Sequence, residues 1–424
     1  MKPSLRIQTR PLRPALPAAL VWMLAIFASV LLAGCAGRPV ATAPPASRLV
    51  IVVSIDGLPA SILGDGTLPT LDRIATDGVR AEWMNPSYPT MTFPNHYTLI
   101  TGLRPDHHGI VHNNMRDPVL GEFRSKEDSA KDGRWWGGEP IWATLQRQGG
   151  AAAIMFWPGS EAEIAGQRAR DLRRFDKTLS AEMRINQVLA WTDRPEAQRP
   201  QLILAYFDQY DIAAHESGTF SPKALASLRA IDAALAQLQD GLRARGLYAE
   251  TDLIVLSDHG MADVPRDNVR FLDDRLDPSA YDIQWWGLVA GIVPKPGREA
   301  EVERAFVGRQ DRYTCWRKSE LPAQWHYGRN PRVTPIVCQS DVGWRVQSRA
   351  NGRWPQPVKG EHGFAPEDPS MRSVFVANGP SFRSGERLRP FDNVDIYPLL
   401  AHLLRIEPAA NDGDLAPLQP ALEP

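Results

Sequence analysis

The sequence predicts an α/β fold, a doubly wound and mostly parallel sheet carrying a small inserted subdomain. Three observations point there. Apolar runs near residues 49–55, 202–207 and 253–256 have the length and composition of strands buried on both faces. Helix-patterned segments separate them, and that alternation argues a parallel sheet covered by helices. From about residue 263 to residue 343 the rhythm breaks into a stretch rich in Pro, Trp and Arg, where the inserted subdomain is expected.

The first strand, near residues 49–55, ends at Asp56-Gly57. In open α/β sheets ligands collect outside the carboxyl ends of the strands, so Asp56 stands where chemistry would occur, although Asp-Gly also simply makes turns. The second strand is followed by Asp208, Asp211 and His215, and the third by Ser257-Asp258-His259-Gly260. Solubility does not explain three buried strands that each end in carboxylate or imidazole. Oxygen and nitrogen donors of this kind suit zinc or a similar divalent ion. His362, isolated between Gly360-Glu361 and Gly363 ahead of a further strand near residues 373–377, is a fourth candidate of the same type. His107, His108, His112, His326 and His402 lack comparable partners and read as structural.

Between the second and third strands, Leu225, Leu228, Ile231, Leu235, Leu238 and Leu242 form one stripe of a helix over 222–246, closed by Gly246. A last helix begins at Val394-Asp395-Ile396. Earlier, Pro89-Thr90-Met91-Thr92-Phe93-Pro94-Asn95-His96 offers hydroxyls just ahead of a helix whose first turn Pro94 suits and which Tyr97, Leu99 and Ile100 would continue. A hydroxyl there faces the unpaired N–H groups and the positive end of the helix, which favours an alkoxide or a bound phosphate. Taken alone the stretch would pass for a helix cap; the metal-type residues elsewhere give it chemical meaning.

The chain has 424 residues, enough for one large or two ordinary domains. A formal net charge of −1 and an isoelectric point near 6.8 give no support to a surface that coats nucleic acid. Among the 13 tryptophans, Trp135, Trp136, Trp142 and Trp157 read as packing. At the N-terminus, Lys2, Arg6, Arg10 and Arg13 precede an apolar stretch over 18–32, the pattern of an export signal. Leu32-Ala33-Gly34-Cys35 resembles the lipobox of bacterial lipoproteins, against a plain signal peptide or a short anchor. The expected division is a lipoprotein-type signal peptide over 1–35 ending at a lipidated Cys35, a Pro/Ala-rich tether over 36–47, and one domain over 48–424. Ala36 in place of Asp implies the outer membrane, facing the periplasm or the outside. The remaining cysteines, Cys315 and Cys338, are expected to form a disulfide, and the absence of C-x-x-C spacing weakens a zinc pair.

With these residues in place, the chain resembles a bacterial nucleotide pyrophosphatase/phosphodiesterase of the alkaline phosphatase superfamily. The likeness rests on Ile55-Asp56-Gly57, residues 89–96, Gly102-Leu103-Arg104-Pro105 with His108-Gly109-Ile110, and Phe156-Trp157-Pro158-Gly159-Ser160. Asp211 with His215, Ser257-Asp258-His259-Gly260-Met261 and Gly360-Glu361-His362-Gly363 complete it. It implies an alkaline phosphatase-like core and two Zn2+ ions. Asp211, His215 and His362 would hold one; Asp56, Asp258 and His259 would hold the other together with the nucleophile Thr92. Asn113 matches the asparagine that steadies a phosphate oxygen, with Asn114 adjacent to it, and Thr90 is a competing hydroxyl. Ala214 stands where the family usually has glycine, and Phe175 where a tyrosine commonly faces Phe93. These two rings are expected to take a nucleobase between them, unless both belong to the core.

The activity implied is zinc-dependent hydrolysis of nucleotide phosphodiester or pyrophosphate bonds through a covalent threonine intermediate, releasing nucleoside 5′-monophosphates. The substrate partner is then a nucleotide diester, the membrane is met through Cys35, and no protein partner is implied. A sulfatase is disfavoured because Ser87-Tyr88-Pro89-Thr90-Met91 lacks the Cys/Ser-Pro-Arg maturation pattern. A phosphomonoesterase or a lipid-headgroup phosphodiesterase would share the metals and nucleophile. However, no arginine lies between Arg80 and Arg104 to serve extra phosphate oxygens. A lipid-tethered binding protein without turnover need not keep six metal-type residues and a nucleophile.

Overall fold

A computed structural model of the chain describes residues 49–349 and 359–424. The signal, lipobox and tether lie outside these residues. The main sheet contains, in chain order, β1 (Leu49–Ile55), β2 (Val79–Ala81), β3 (Ala152–Met155), β4 (Asp171–Arg173), β5 (Leu202–Phe207), β6 (Thr251–Leu256), β7 (Phe375–Asn378) and β8 (Glu386–Leu388). Across the sheet they run β8-β2-β7-β6-β1-β5-β3-β4. Every neighbouring pair is parallel except those made by β7, which is antiparallel to β6 and β2. The expected mostly parallel α/β sheet is what forms.

Every residue of β1, β5 and β6 is buried, as continuous apolar runs require when helices cover both faces. β1 is central, with Ser54 level with Tyr206 of β5 and with Leu256 of β6. This register brings the residues just past Ile55, Phe207 and Leu256 out side by side. The strand-end acids therefore meet because three adjacent parallel strands stop at one edge.

The helices that matter to the site are α1 (Thr92–Thr101), α2 (Gln209–Ser217) and α3 (Pro222–Ala244). α1 begins at Thr92, and Pro94 sits in its first turn as expected. Pro94 costs nothing there, because the first N–H groups of a helix have no intrahelical partner. Ser221 caps α3 through the Ala224 N–H, and Leu228, Ile231, Leu235, Leu238 and Leu242 are buried along its stripe. It ends at Ala244, and Gly246 takes a φ of +68° just beyond.

Between β6 and β7, a separate antiparallel sheet runs in the order Tyr281–Trp285, Val289–Pro294, Ile336–Ser340, Tyr313–Arg317, Gly308–Arg309. It packs with the helix Glu299–Phe306 around its own apolar cluster, including Leu272, Ile292, Val302, Phe306 and Tyr313. Cys315 and Cys338, opposite one another on adjacent strands of this sheet, form a disulfide. No helix among the described residues is long and apolar enough to cross a membrane.

Candidate active site

Two triads of metal-type side chains assemble at the carboxyl edge of β6, β1 and β5. Asp56, Asp258 and His259 form an inner triad, and Asp211, His215 and His362 an outer one. Within each, one donor atom per residue lies within 4.8 Å of the others. Asp211 and His215 sit four residues apart in α2, so both project from one helix face. Asp56 leaves β1 through Gly57, whose φ of +74° needs glycine and whose N–H donates to Asp258 Oδ1 at 3.2 Å. His362 follows the short strand Gly360–Glu361.

The hydrogen bonds set the histidine tautomers. Nδ1 of His215 faces the Gly360 carbonyl at 2.8 Å, that of His259 the Gly260 carbonyl at 3.0 Å, and that of His362 the Thr90 carbonyl at 3.0 Å. A carbonyl only accepts, so each Nδ1 carries a proton, and in the neutral ring it is Nε2 that presents a lone pair. Those lone pairs meet carboxylate oxygens. His259 Nε2 lies 2.9 Å from Asp258 Oδ2 and 3.5 Å from Asp56 Oδ1. His215 Nε2 and His362 Nε2 lie 3.3 and 3.6 Å from Asp211 Oδ1. The three carboxylate oxygens so placed are buried and have no hydrogen-bond donor. Acceptor against acceptor in a buried site is what a divalent cation resolves, so the residues fit the two ions.

The electrostatics agree. Burial, followed by the Asp258 and Asp211 charges, pushes the Asp56 pKa well above the carboxylate range. Burial opposes a charge on His215, but the Asp211 carboxylate beside it prevails and lifts its pKa to about 9. Protons would thus crowd into the site without a cation, and bound cations reverse that balance.

The hydroxyl question has a geometric answer. Thr92 Oγ1 lies 3.5 Å from His259 Nε2, at the edge of the inner triad and in the first turn of α1. Thr90 is fully buried and its hydroxyl donates to the Phe364 carbonyl at 2.7 Å. Asn113 Oδ1 accepts the Phe93 N–H at 3.0 Å, which places this side chain beside the residue after Thr92. Asn114 is exposed at the start of the strand Asn114–Asp117. Phe93 is half-buried against Phe123 and Trp136, with ring centroids 6.2 and 6.1 Å away. Phe175 leans on Phe156 and is 48% exposed, so it is not a core residue.

Asp208 joins neither triad; it pairs with the fully buried Arg184 at 2.8 Å. His108 bonds the Thr98 hydroxyl, His112 stacks on Trp285, and His107 pairs with Asp412. Two residues around the inner triad carried no sequence signal of their role. The Tyr206 hydroxyl donates to Asp56 Oδ2, and His96 Nδ1 reaches the Thr92 carbonyl at 2.9 Å while lying 3.2 Å from Asp258 Oδ2.

The family model for type I phosphodiesterase / nucleotide pyrophosphatase matches residues 50–365, a span that takes in every residue of both triads. The chain belongs to this family of hydrolases. An uncharacterised pyrophosphatase/phosphodiesterase of Schizosaccharomyces pombe is 35% identical over 382 residues, covering 86% of this chain and 78% of the yeast protein. The mouse ectonucleotide pyrophosphatase/phosphodiesterase family member 3 is 35% identical over 393 residues, covering 89% of this chain and 45% of its own length. A venom phosphodiesterase of Crotalus durissus collilineatus is 34% identical over 375 residues, 86% of this chain and 45% of the venom protein. The chain thus spans somewhat less than half the length of these two animal proteins. Among solved structures, an inactive threonine-to-alanine variant of murine ectonucleotide pyrophosphatase/phosphodiesterase 5 in complex with AMP superposes with a TM-score of 0.84. It is 32% identical and covered over its whole length, against 89% of this chain. These relatives are eukaryotic and lend no support to a bacterial origin.

Proposed function

We propose that the chain is a two-zinc nucleotide phosphodiesterase and pyrophosphatase that attacks phosphorus with Thr92 and releases nucleoside 5′-monophosphates. The observation that carries this is the Thr92 hydroxyl at a helix N-terminus, against one of two adjoining carboxylate–imidazole triads. Asp211, His215 and His362 would hold one ion, and Asp56, Asp258 and His259, with Thr92, the other. Bound there, the ions supply Lewis acidity, which lowers the cost of ionising a threonine hydroxyl and stabilises the entering and leaving oxygens.

The chain's own groups do the rest. Thr92 Oγ forms a bond to phosphorus as the bond to the leaving oxygen breaks, and the leaving group takes up a proton. Water then breaks the phosphothreonine bond, restores the hydroxyl and frees the 5′-monophosphate. Asn113, its Oδ1 engaged by the Phe93 N–H, offers its NH2 to a non-bridging phosphate oxygen. The N-terminal turn of α1 favours the same negative charge. Phe93 and Phe175 take the base, with little preference among bases because every base has a π-face. The AMP and the threonine substitution named for the murine relative support both the nucleophile and the product class.

Comparing turnover of nitrophenyl-thymidine-phosphate with nitrophenyl-phosphate tests the substrate class. Faster cleavage of the thymidine diester supports the proposal, and faster cleavage of the monoester would make this a phosphomonoesterase. We further infer export and lipidation at Cys35, outer-membrane anchoring through a tether over 36–47, and an inserted subdomain over 263–343 in the catalytic domain. Mass spectrometry of membrane-purified protein should find an acylated N-terminal Cys35; an unmodified N-terminus elsewhere would refute the anchor.

A further inference from the structure

The geometry points to Tyr206 as a positioning residue that holds the inner metal site and makes it the tighter of the two. This rests on the proposal that both triads bind divalent cations. Each inner carboxylate has its oxygens divided between a donor and the metal side. On Asp56, the Tyr206 hydroxyl takes Oδ2 and leaves Oδ1 unpartnered towards His259 Nε2. On Asp258, the Gly57 N–H takes Oδ1 and leaves Oδ2 unpartnered. Such outer-layer donors fix which lone pair a carboxylate offers.

The outer triad lacks this support. Among the described residues Asp211 Oδ1 has no donor apart from the two histidines that would share its metal, and the side chains of Asp211, His215 and His362 are 14%, 28% and 9% exposed. Those of Asp258 and His259 are fully buried. Solvent thus reaches the outer ligands and not the inner ones. Tyr206 is itself locked, buried on β5 level with Ser54 and with its ring edge-on to His96 at 4.8 Å. Among the described residues its hydroxyl has one hydrogen-bond partner, Asp56 Oδ2.

The test is zinc release to a colorimetric chelator from the full holoprotein. Wild type should lose two equivalents in two phases, fast from the outer site and slow from the inner one. Tyr206→Phe deletes one hydroxyl and leaves the ring against His96. It should speed the slow phase by about 10- to 100-fold and leave the fast phase unchanged. Adding Tyr206→Phe to Asp211→Asn, where the inner equivalent remains, should reproduce the shift in isolation. Tyr397→Phe removes a buried hydroxyl that bonds only Thr144 and the Ala409 N–H, and should move neither phase. An unchanged slow phase in Tyr206→Phe, or equal acceleration of both phases, overturns the inference. Wild type that binds no zinc instead defeats the two-metal proposal beneath it.

Discussion

Asn113 offers the most discriminating substitution. Its Oδ1 is committed to the Phe93 N–H at 3.0 Å, so only its NH2 can serve a phosphate on Thr92. Removing one preorganised donor to developing charge costs about 2.7–4 kcal/mol, or about 10²–10³ in kcat. Asn113 is only half-buried, which places Asn113→Ala near the lower end of that range. The change also strips a hydrogen bond worth about 1 kcal/mol from the N-terminal turn carrying Thr92, roughly another fivefold. Asn113→Asp keeps the acceptor for Phe93 but sets an anionic oxygen against the phosphate. At about 4 Å and an effective dielectric of about 20, such repulsion reaches about 4 kcal/mol. The aspartate should therefore be at least tenfold slower than the alanine, a difference of about 1.4 kcal/mol. Steady-state kinetics on a thymidine diester, with zinc content measured in parallel, checks this. Asn113→Ala within threefold of wild type, an aspartate as active as the alanine, or loss of activity in Asn114→Ala instead would refute the assignment.

Other consequences can be measured separately. Phe175→Ala should leave Tm unchanged, since the ring is 48% exposed, while KM for nucleotide diesters rises about tenfold; an unchanged KM removes Phe175 from the base site. Replacing Cys315 and Cys338 together by alanine reopens a closure of 23 residues and should cost about 3 kcal/mol in denaturant unfolding. Zinc content and turnover should survive that change at low temperature, because the disulfide lies in the separate sheet. Zinc uptake by metal-free protein at pH 7.5 should release protons into a weakly buffered indicator. Against the opposing effect of burial, Asp211 raises the His215 pKa to about 9, so His215 starts protonated and must lose that proton to offer Nε2. Uptake without proton release would contradict the ligand set.

Much of the site was legible because buried parallel strands carry a nearly pure apolar code, so that Asp56, Asp258 and His259 stand out where it stops. Asp211 and His215 were legible as polar residues past the second strand, but that they share one face of α2 shows only in the structure. Tyr206 was not, since an aromatic inside an all-apolar strand looks like core, and only the register with β1 aims its hydroxyl at Asp56. The strand order of the inserted sheet depends on pairings between residues far apart in the chain, which local pattern does not encode. Thr90 and Thr92 are equivalent in composition. They differ in what folds over them, a carbonyl of the Phe364 loop for one and the inner triad for the other.

Thr92, and not a metal-assembled site alone, is proposed to carry the reaction. The direct measurement is turnover together with zinc content for Thr92→Ala and Thr90→Ala. Six side chains other than Thr92 build the two triads. Thr92→Ala should therefore keep close to two zinc ions per chain and lose turnover, while Thr90→Ala retains turnover in whatever fraction folds. An active Thr92→Ala enzyme, or one inactive only because its zinc is gone, would rule out Thr92 as the nucleophile.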